Sequence, residues 1–314
     1  MTSSRLLVGG LLLALMIGTA VGILFQRTVG LGNALRAAQV LPPLPPPPTL
    51  QPTRPPVGLP AEFHGRLALF VLAGQSNMSG WSPLPDEQTL HPRAFLFGND
   101  YRWRLVSEPT DHPEDQVDLV SLDYGSGLGT SPGPAFAATL LDEYPDLIVG
   151  LIPCAKGDTT LTQWQRNLGD DTLYGSCLKR IAAASLMGEL TGILFFQGEA
   201  DALNPVVYGS RNPLGDAYGE HFIQFIHDLR HDVQQTNLPV IFAQLGSPPS
   251  PEGFANWLLI EEQQAAVQLP CVTMITTDDL PLHDGLHFTS ESYQTIGARF
   301  AEAYIEMIKT QECN

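Results

Sequence analysis

Three short stretches carry residues whose types and spacing suit covalent chemistry. In "FVLAGQSNMSGW", residues 70–81, an apolar run breaks off into a glycine, a glutamine and Ser76. In "FFQGEAD", residues 195–201, another run ends in Gln197, Glu199 and Asp201. In "HDGLHF", residues 283–288, Asp284 stands three places before His287. Acyl transfer needs a nucleophile, a base, a group that orients the base, and donors for an oxyanion. A serine on a strand-to-helix turn exposes its Oγ, and the helix N-terminus turns N–H groups toward developing negative charge. His287 is the natural base. Asp284, on a turn entering a helix, is spaced to hold the far imidazole nitrogen and fix one tautomer. The amide of Gln197 offers an oxyanion donor.

Each residue alone has a plainer explanation. A serine after a strand caps a helix, and an Asp–His pair is commonly a surface hydrogen bond. Gln197 would finish a sheet edge, and Glu199 and Asp201 would be solvated loop charge. His283, Asp284 and His287 also read as a metal set. A metal-binding i, i+4 histidine pair usually sits on a helix, however, and Pro281 and Gly285 break one here. The metal reading is the weaker one. Order and spacing together favour acyl transfer.

These side chains need a scaffold that brings them to one place. Continuous apolar runs predict strands at 67–73, 147–154, 191–197, 239–245 and 271–276. Helical patterns fall near 134–144, 172–187, 215–234, 254–269 and 289–308. Runs without alternation indicate strands covered on both faces. Strand and helix in alternation indicate an α/β domain: three layers, doubly wound, around a mainly parallel sheet. Ligands of such sheets gather outside the carboxyl ends of the strands, where all three stretches fall.

The set "AGQSNMSG", "FFQGEAD" and "DGLHFTSESYQTIGARFAEAY" resembles the SGNH-type hydrolases, and within them the branch of sialate O-acetylesterases and acetylxylan esterases. "LIVGLIPCAKGDTTLTQW", residues 147–164, is similar to a further block of that branch, with Gly157-Asp158-Thr159 where Gly-Gly-Thr is usual. The resemblance covers roughly residues 66–306. It implies a flavodoxin-like SGNH fold and a serine esterase that removes O-acetyl groups from a carbohydrate, with no cofactor and no metal. By the same resemblance Ser76 is the nucleophile, His287 the base and Asp284 its partner, with Glu199 a rival for the acid role. The oxyanion hole would combine the Ser76 N–H, the Gln197 side chain and an N–H of Ser131 or Gly133 in "GTSPGPAFA", residues 129–137. Trp81 and Trp164 would stack on sugar, and Asp158 would shape the pocket rim. A sugar-binding module without turnover, a lipid or thioester hydrolase, and an acyltransferase are alternatives on this scaffold. The sequon Asn77-Met78-Ser79 should be unused, because a glycan there would block the site.

The flanking sequence bears on location. Residues 6–25 are uncharged and apolar between Arg5 and Arg27, long enough for a membrane span. We assign residues 1–27 to a signal anchor or a signal peptide and 28–62 to a linker, with ten prolines between 41 and 60. The linker should be a semi-rigid polyproline spacer. Residues 63–314 form the esterase domain, expected to be membrane-anchored or secreted and extracytoplasmic. Residues 62–314 hold 33 acidic and 12 basic side chains, a net charge of -21. That field repels phosphate backbones and excludes nucleic acid as a partner. Of the four cysteines, Cys154 and Cys271 lie in apolar runs and are expected as buried thiols, although export would permit disulfides.

Overall fold

A computed structural model of the chain describes residues 58–123, 128–208, 217–250, 252–310 and 313. The predicted anchor and nearly all of the predicted linker lie outside the described residues. Among those described, no helix is long and apolar enough to cross a membrane.

Among the described residues seven strands make one sheet: β1 (Leu67–Gly74), β2 (Ala94–Phe97), β3 (Trp103–Leu105), β4 (Val149–Pro153), β5 (Gly188–Phe196), β6 (Val240–Ala243) and β7 (Val272–Ile275). Their order across the sheet is β3-β2-β4-β1-β5-β6-β7. Every pairing is parallel except β2 with β3. All eight residues of β1 are buried, as a central strand requires. Leu67, Leu69, Val71 and Ala73 enter one apolar core, and Ala68, Phe70 and Leu72 enter the other.

Among the described residues seven α-helices follow in chain order: α1 (Ser76–Ser79), α2 (Gly133–Glu143), α3 (Leu173–Ala184), α4 (Pro205–Tyr208), α5 (Tyr218–Asp232), α6 (Trp257–Ala265) and α7 (Ser290–Lys309). Buried side chains of α3, α5 and α6 fill the first core. Those of α2 and α7 fill the second. The result is the expected three-layer α/β sandwich. Helix α7 buries Tyr293, Ile296, Gly297, Phe300, Ala301, Tyr304 and Met307, an apolar stripe at helical spacing. Its start is capped by Thr289, whose side chain accepts from the Ser292 N–H.

The five predicted strands all occur, a residue or a few shorter or longer than expected. The pair β2–β3 was not predicted, because segments of three and four residues are too short to show periodicity. The cysteine expectation is corrected: Cys154 is bonded to Cys177, and Cys271 to Cys313. Burial and bonding are compatible, since Cys154, Cys177 and Cys271 all sit among core side chains. An apolar run cannot show which partner comes to meet it.

Candidate active site

Strand β1 lies where the sheet order reverses, with β4 on one side and β5 on the other. Its last residue, Gly74, has φ +132°, and a Cβ there would sit 2.0 Å from the Phe196 carbonyl oxygen. Only glycine allows β1 and β5 to end so close together. The Gln75 N–H then donates to that carbonyl at 2.8 Å, and the chain turns into α1. Ser76 is the first residue of α1, at the carboxyl end of the central strand.

The loop from β7 to α7 supplies the partners. Oδ1 of Asp284 accepts from the N–H groups of Leu286 at 3.0 Å and His287 at 2.8 Å. Oδ2 lies 2.7 Å from Nδ1 of His287, and Nε2 of His287 lies 2.9 Å from Oγ of Ser76. An ionised carboxylate only accepts, so Nδ1 carries the proton and Nε2 faces the hydroxyl with its lone pair. Partial desolvation pushes the Asp284 carboxyl up. The hydrogen bonds from the His287 ring and the two N–H groups outweigh it and hold the carboxyl below the ordinary aspartate range. With both ring nitrogens engaged, His287 has none left for a metal shared with His283. The Trp81 ring stands 5.5 Å from the His287 ring.

Glu199 makes no hydrogen bond to His287, whose ring nitrogens face Asp284 and Ser76. Glu199 is 1% exposed, and its Oε1 accepts from Nδ2 of Asn77 at 2.5 Å. Oδ1 of Asn77 accepts in turn from the Tyr293 hydroxyl at 2.6 Å. Burial pushes the Glu199 carboxyl up to about 7, against the Asn77 hydrogen bond. The Asn77 amide is buried and held in this chain of hydrogen bonds, leaving no space for a glycan in the folded site.

Ser76 and His287 open onto a cavity of about 550 Å³. Its lining includes the polar Asp123, Lys156, Asp158 and Gln163 and the apolar Trp81, Val120, Leu173, Leu203, Phe254 and Leu286. Nζ of Lys156 is 2.8 Å from the Asp123 carboxylate. Asp158 is exposed on the rim in a left-handed conformation, φ +57°, the backbone shape that glycine usually serves. The sequence reading did not single out Gln75, Asp123 or Lys156. Gln75 was detectable only as the neighbour of Ser76, and the ion pair joins residues 33 apart.

Three sequence expectations need correction. Trp164 is 1% exposed; it packs on Phe195 and Phe225, and its Nε1 donates to Thr159 Oγ1. It is a core residue rather than a stacking platform. Gln197 does not line the cavity. Its Nε2 donates to the Thr159 carbonyl at 2.8 Å and to Asp201 at 2.6 Å. The Ser131 N–H donates to Glu108 at 2.7 Å, and the Gly133 N–H to the Ser131 hydroxyl at 3.3 Å. Neither backbone group is free for an oxyanion, and neither residue lines the cavity.

Comparison with known proteins places this geometry. The family described as carbohydrate esterase, sialic acid-specific acetylesterase, matches residues 66–306. The chain belongs to that family. A protein of Arabidopsis thaliana described as a probable carbohydrate esterase is 30% identical to this carbohydrate esterase over 256 residues, 76% of this chain and 90% of the other. The crystal structure of that Arabidopsis protein superposes with a TM-score of 0.65 at 28% identity, over 77% of this chain and 98% of its own. Two further structures share the fold at 18% identity. A carbohydrate acetylesterase of Xanthomonas citri has a TM-score of 0.54, over 76% of this chain and 56% of that one. NanS has 0.57, over 79% and 99%.

Proposed function

We propose that the protein is a serine esterase that removes O-acetyl groups from a carbohydrate, with Ser76, His287 and Asp284 as its triad. The observation that carries this reading is the unbroken relay from Asp284 through His287 to Ser76 at the edge of the cavity. Ser76 Oγ attacks the acetyl carbonyl as His287 Nε2 takes its proton. The tetrahedral oxyanion meets the Ser76 N–H, which has no acceptor among the described residues. His287 then protonates the departing sugar oxygen, leaving Ser76 acetylated. Water, deprotonated by the same imidazole, releases acetate. Asp284 stays ionised and steadies the imidazolium. Apolar lining residues such as Trp81 and Leu286 suit the C–H face of a sugar ring, and polar ones such as Gln163 and Asp158 suit its hydroxyls.

The membership in a carbohydrate esterase family supports this substrate class, and the triad supports the reaction. The two disulfides support an oxidising compartment, in line with an extracytoplasmic domain behind the apolar N-terminal segment. The test is acetate release from acetylated sugars by the purified chain. Ser76→Ala should lower kcat by about a thousandfold or more with thermal unfolding unchanged. A series of acyl lengths separates an acetylesterase, which fails beyond short acyl groups, from a lipid or thioester hydrolase.

A further inference from the structure

The turn that ends α1 brings Trp81 beside His287. The Gly80 N–H donates to the Ser76 carbonyl at 2.9 Å and closes the helix. Gly80 has φ +92°, and a Cβ there would lie 2.5 Å from the Thr130 carbonyl oxygen. Glycine alone suits so crowded a left-handed position, and it turns the chain so that the next side chain comes back toward His287. The Trp81 and His287 ring centroids are 5.5 Å apart, with planes 33° from parallel. Rings side by side in one plane would clash at that separation, so the indole and the imidazole overlap in part face to face, in the offset manner that aromatic pairs prefer. The hydrogen bonds of His287 to Asp284 and Ser76 leave from its ring nitrogens, near the ring plane. The ring faces are left for a different contact. Trp81 is half-buried and lines the cavity, so water screens that contact only in part.

We propose that Trp81 is a positioning residue for the reaction: its indole face stabilises the His287 imidazolium through a cation–π contact. The inference rests on the esterase reading above. As Ser76 Oγ bonds to the acetyl carbon, the carbonyl electron pair moves to oxygen and the Ser76 proton moves to Nε2, so the imidazole becomes a cation. An aromatic face carries the negative part of the ring quadrupole and attracts a cation within about 6 Å of its centroid. The neutral imidazole of the resting enzyme gains far less, so the contact lowers the barrier without tightening the binding of substrate. The charge leaves again when Nε2 gives its proton to the departing oxygen as the C–O bond breaks. Asp284 meets the cation at the ring edge and Trp81 meets it at the face. The ammonium of Lys156, which lines the same cavity, is offset by its ion pair with Asp123.

Fluorine draws charge from the indole face and barely changes its shape, which separates this role from packing. Mono-, di- and trifluorinated tryptophan, incorporated at position 81 of the purified chain, should lower kcat stepwise by about three- to thirtyfold in all. KM should stay within about threefold, the split expected when an interaction is made only in the transition state. The substrate is ethyl acetate, which has no ring to stack on the indole, so a change in sugar binding cannot produce the fall. The second way needs no variant. Diethyl p-nitrophenyl phosphate bonds its phosphorus to Ser76 Oγ and expels p-nitrophenolate, while the Ser76 proton passes to His287. A crystal structure of this wild-type adduct should keep the two ring centroids within about 6 Å. An indole turned away from the imidazole overturns the proposal. So does a flat kcat across the fluorinated series in an enzyme that Ser76→Ala inactivates, including the case where only KM for acetylated sugars rises; the esterase reading then survives. If Ser76→Ala has no effect, the esterase reading itself fails.

Discussion

Asp284 and Glu199 are the two candidates for the acid role, and of the two only Asp284 hydrogen-bonds the imidazole. Glu199 instead holds Asn77, the residue after the nucleophile, and Asn77 is tied in turn to Tyr293 on α7. The two carboxylates should therefore separate under substitution. Asp284→Asn should lower kcat by about a hundredfold to ten-thousandfold, because the amide favours the wrong tautomer. Glu199→Gln keeps an acceptor for Asn77 and should cost less than about tenfold. Steady-state kinetics on one acetyl ester decides, and the reverse order would make Glu199 the acid. At this scale the sequence showed His287, which meets Ser76, and Asp284, which holds His287, because Asp-x-x-His lies within one turn. It did not show which amide faces the cavity. Gln75 and Gln197 are the same residue type at two strand ends, and only the carbonyls and carboxylates around them set their directions.

The close of β1 against β5 is where an element controls the chemistry. Gly74 has a left-handed φ and no room for a Cβ against Phe196, so Gly74→Ala must push the two strand ends apart and move Ser76 with them. We expect a loss of roughly 2–4 kcal/mol in stability, read by urea unfolding, and a fall in kcat larger than that in bound substrate. A variant as stable as wild type would contradict the close approach. The long elements were legible from their periodicity: β1, β5 and α7 bury continuous or helically spaced apolar sets. The segments that were missed, β2 and β3, have four and three residues. Their place at the sheet edge comes from tertiary pairing, which no local pattern encodes.

Across the molecule, several buried acids set the response to pH. Burial pushes Glu108 up to about 8, against donors from Ser131 and Thr110. Burial likewise pushes Asp111 up to about 7, against the Asn99 hydrogen bond and helped by nearby Asp123. A raised carboxyl keeps its proton in the folded state after the unfolded chain has released it. Its contribution is therefore fully present below the ordinary carboxyl range and is lost as pH rises toward its folded value. Glu108→Gln should flatten the fall in stability between about pH 5 and pH 8, measured by urea midpoints; an unchanged slope would contradict the assignment. Reducing the two disulfides should cost about 2–4 kcal/mol each, seen as a lower Tm with dithiothreitol. Their pairing was hidden in the sequence, because four cysteines permit three pairings and only the packing of α3 and the C-terminal segment selects one. The proposed reaction depends on the Ser76 hydroxyl at the end of the central strand. Its most direct test is acetate release from a panel of acetylated sugars by the wild-type chain and by Ser76→Ala. We predict turnover by the first and none above background by the second; equal release by both would contradict the account.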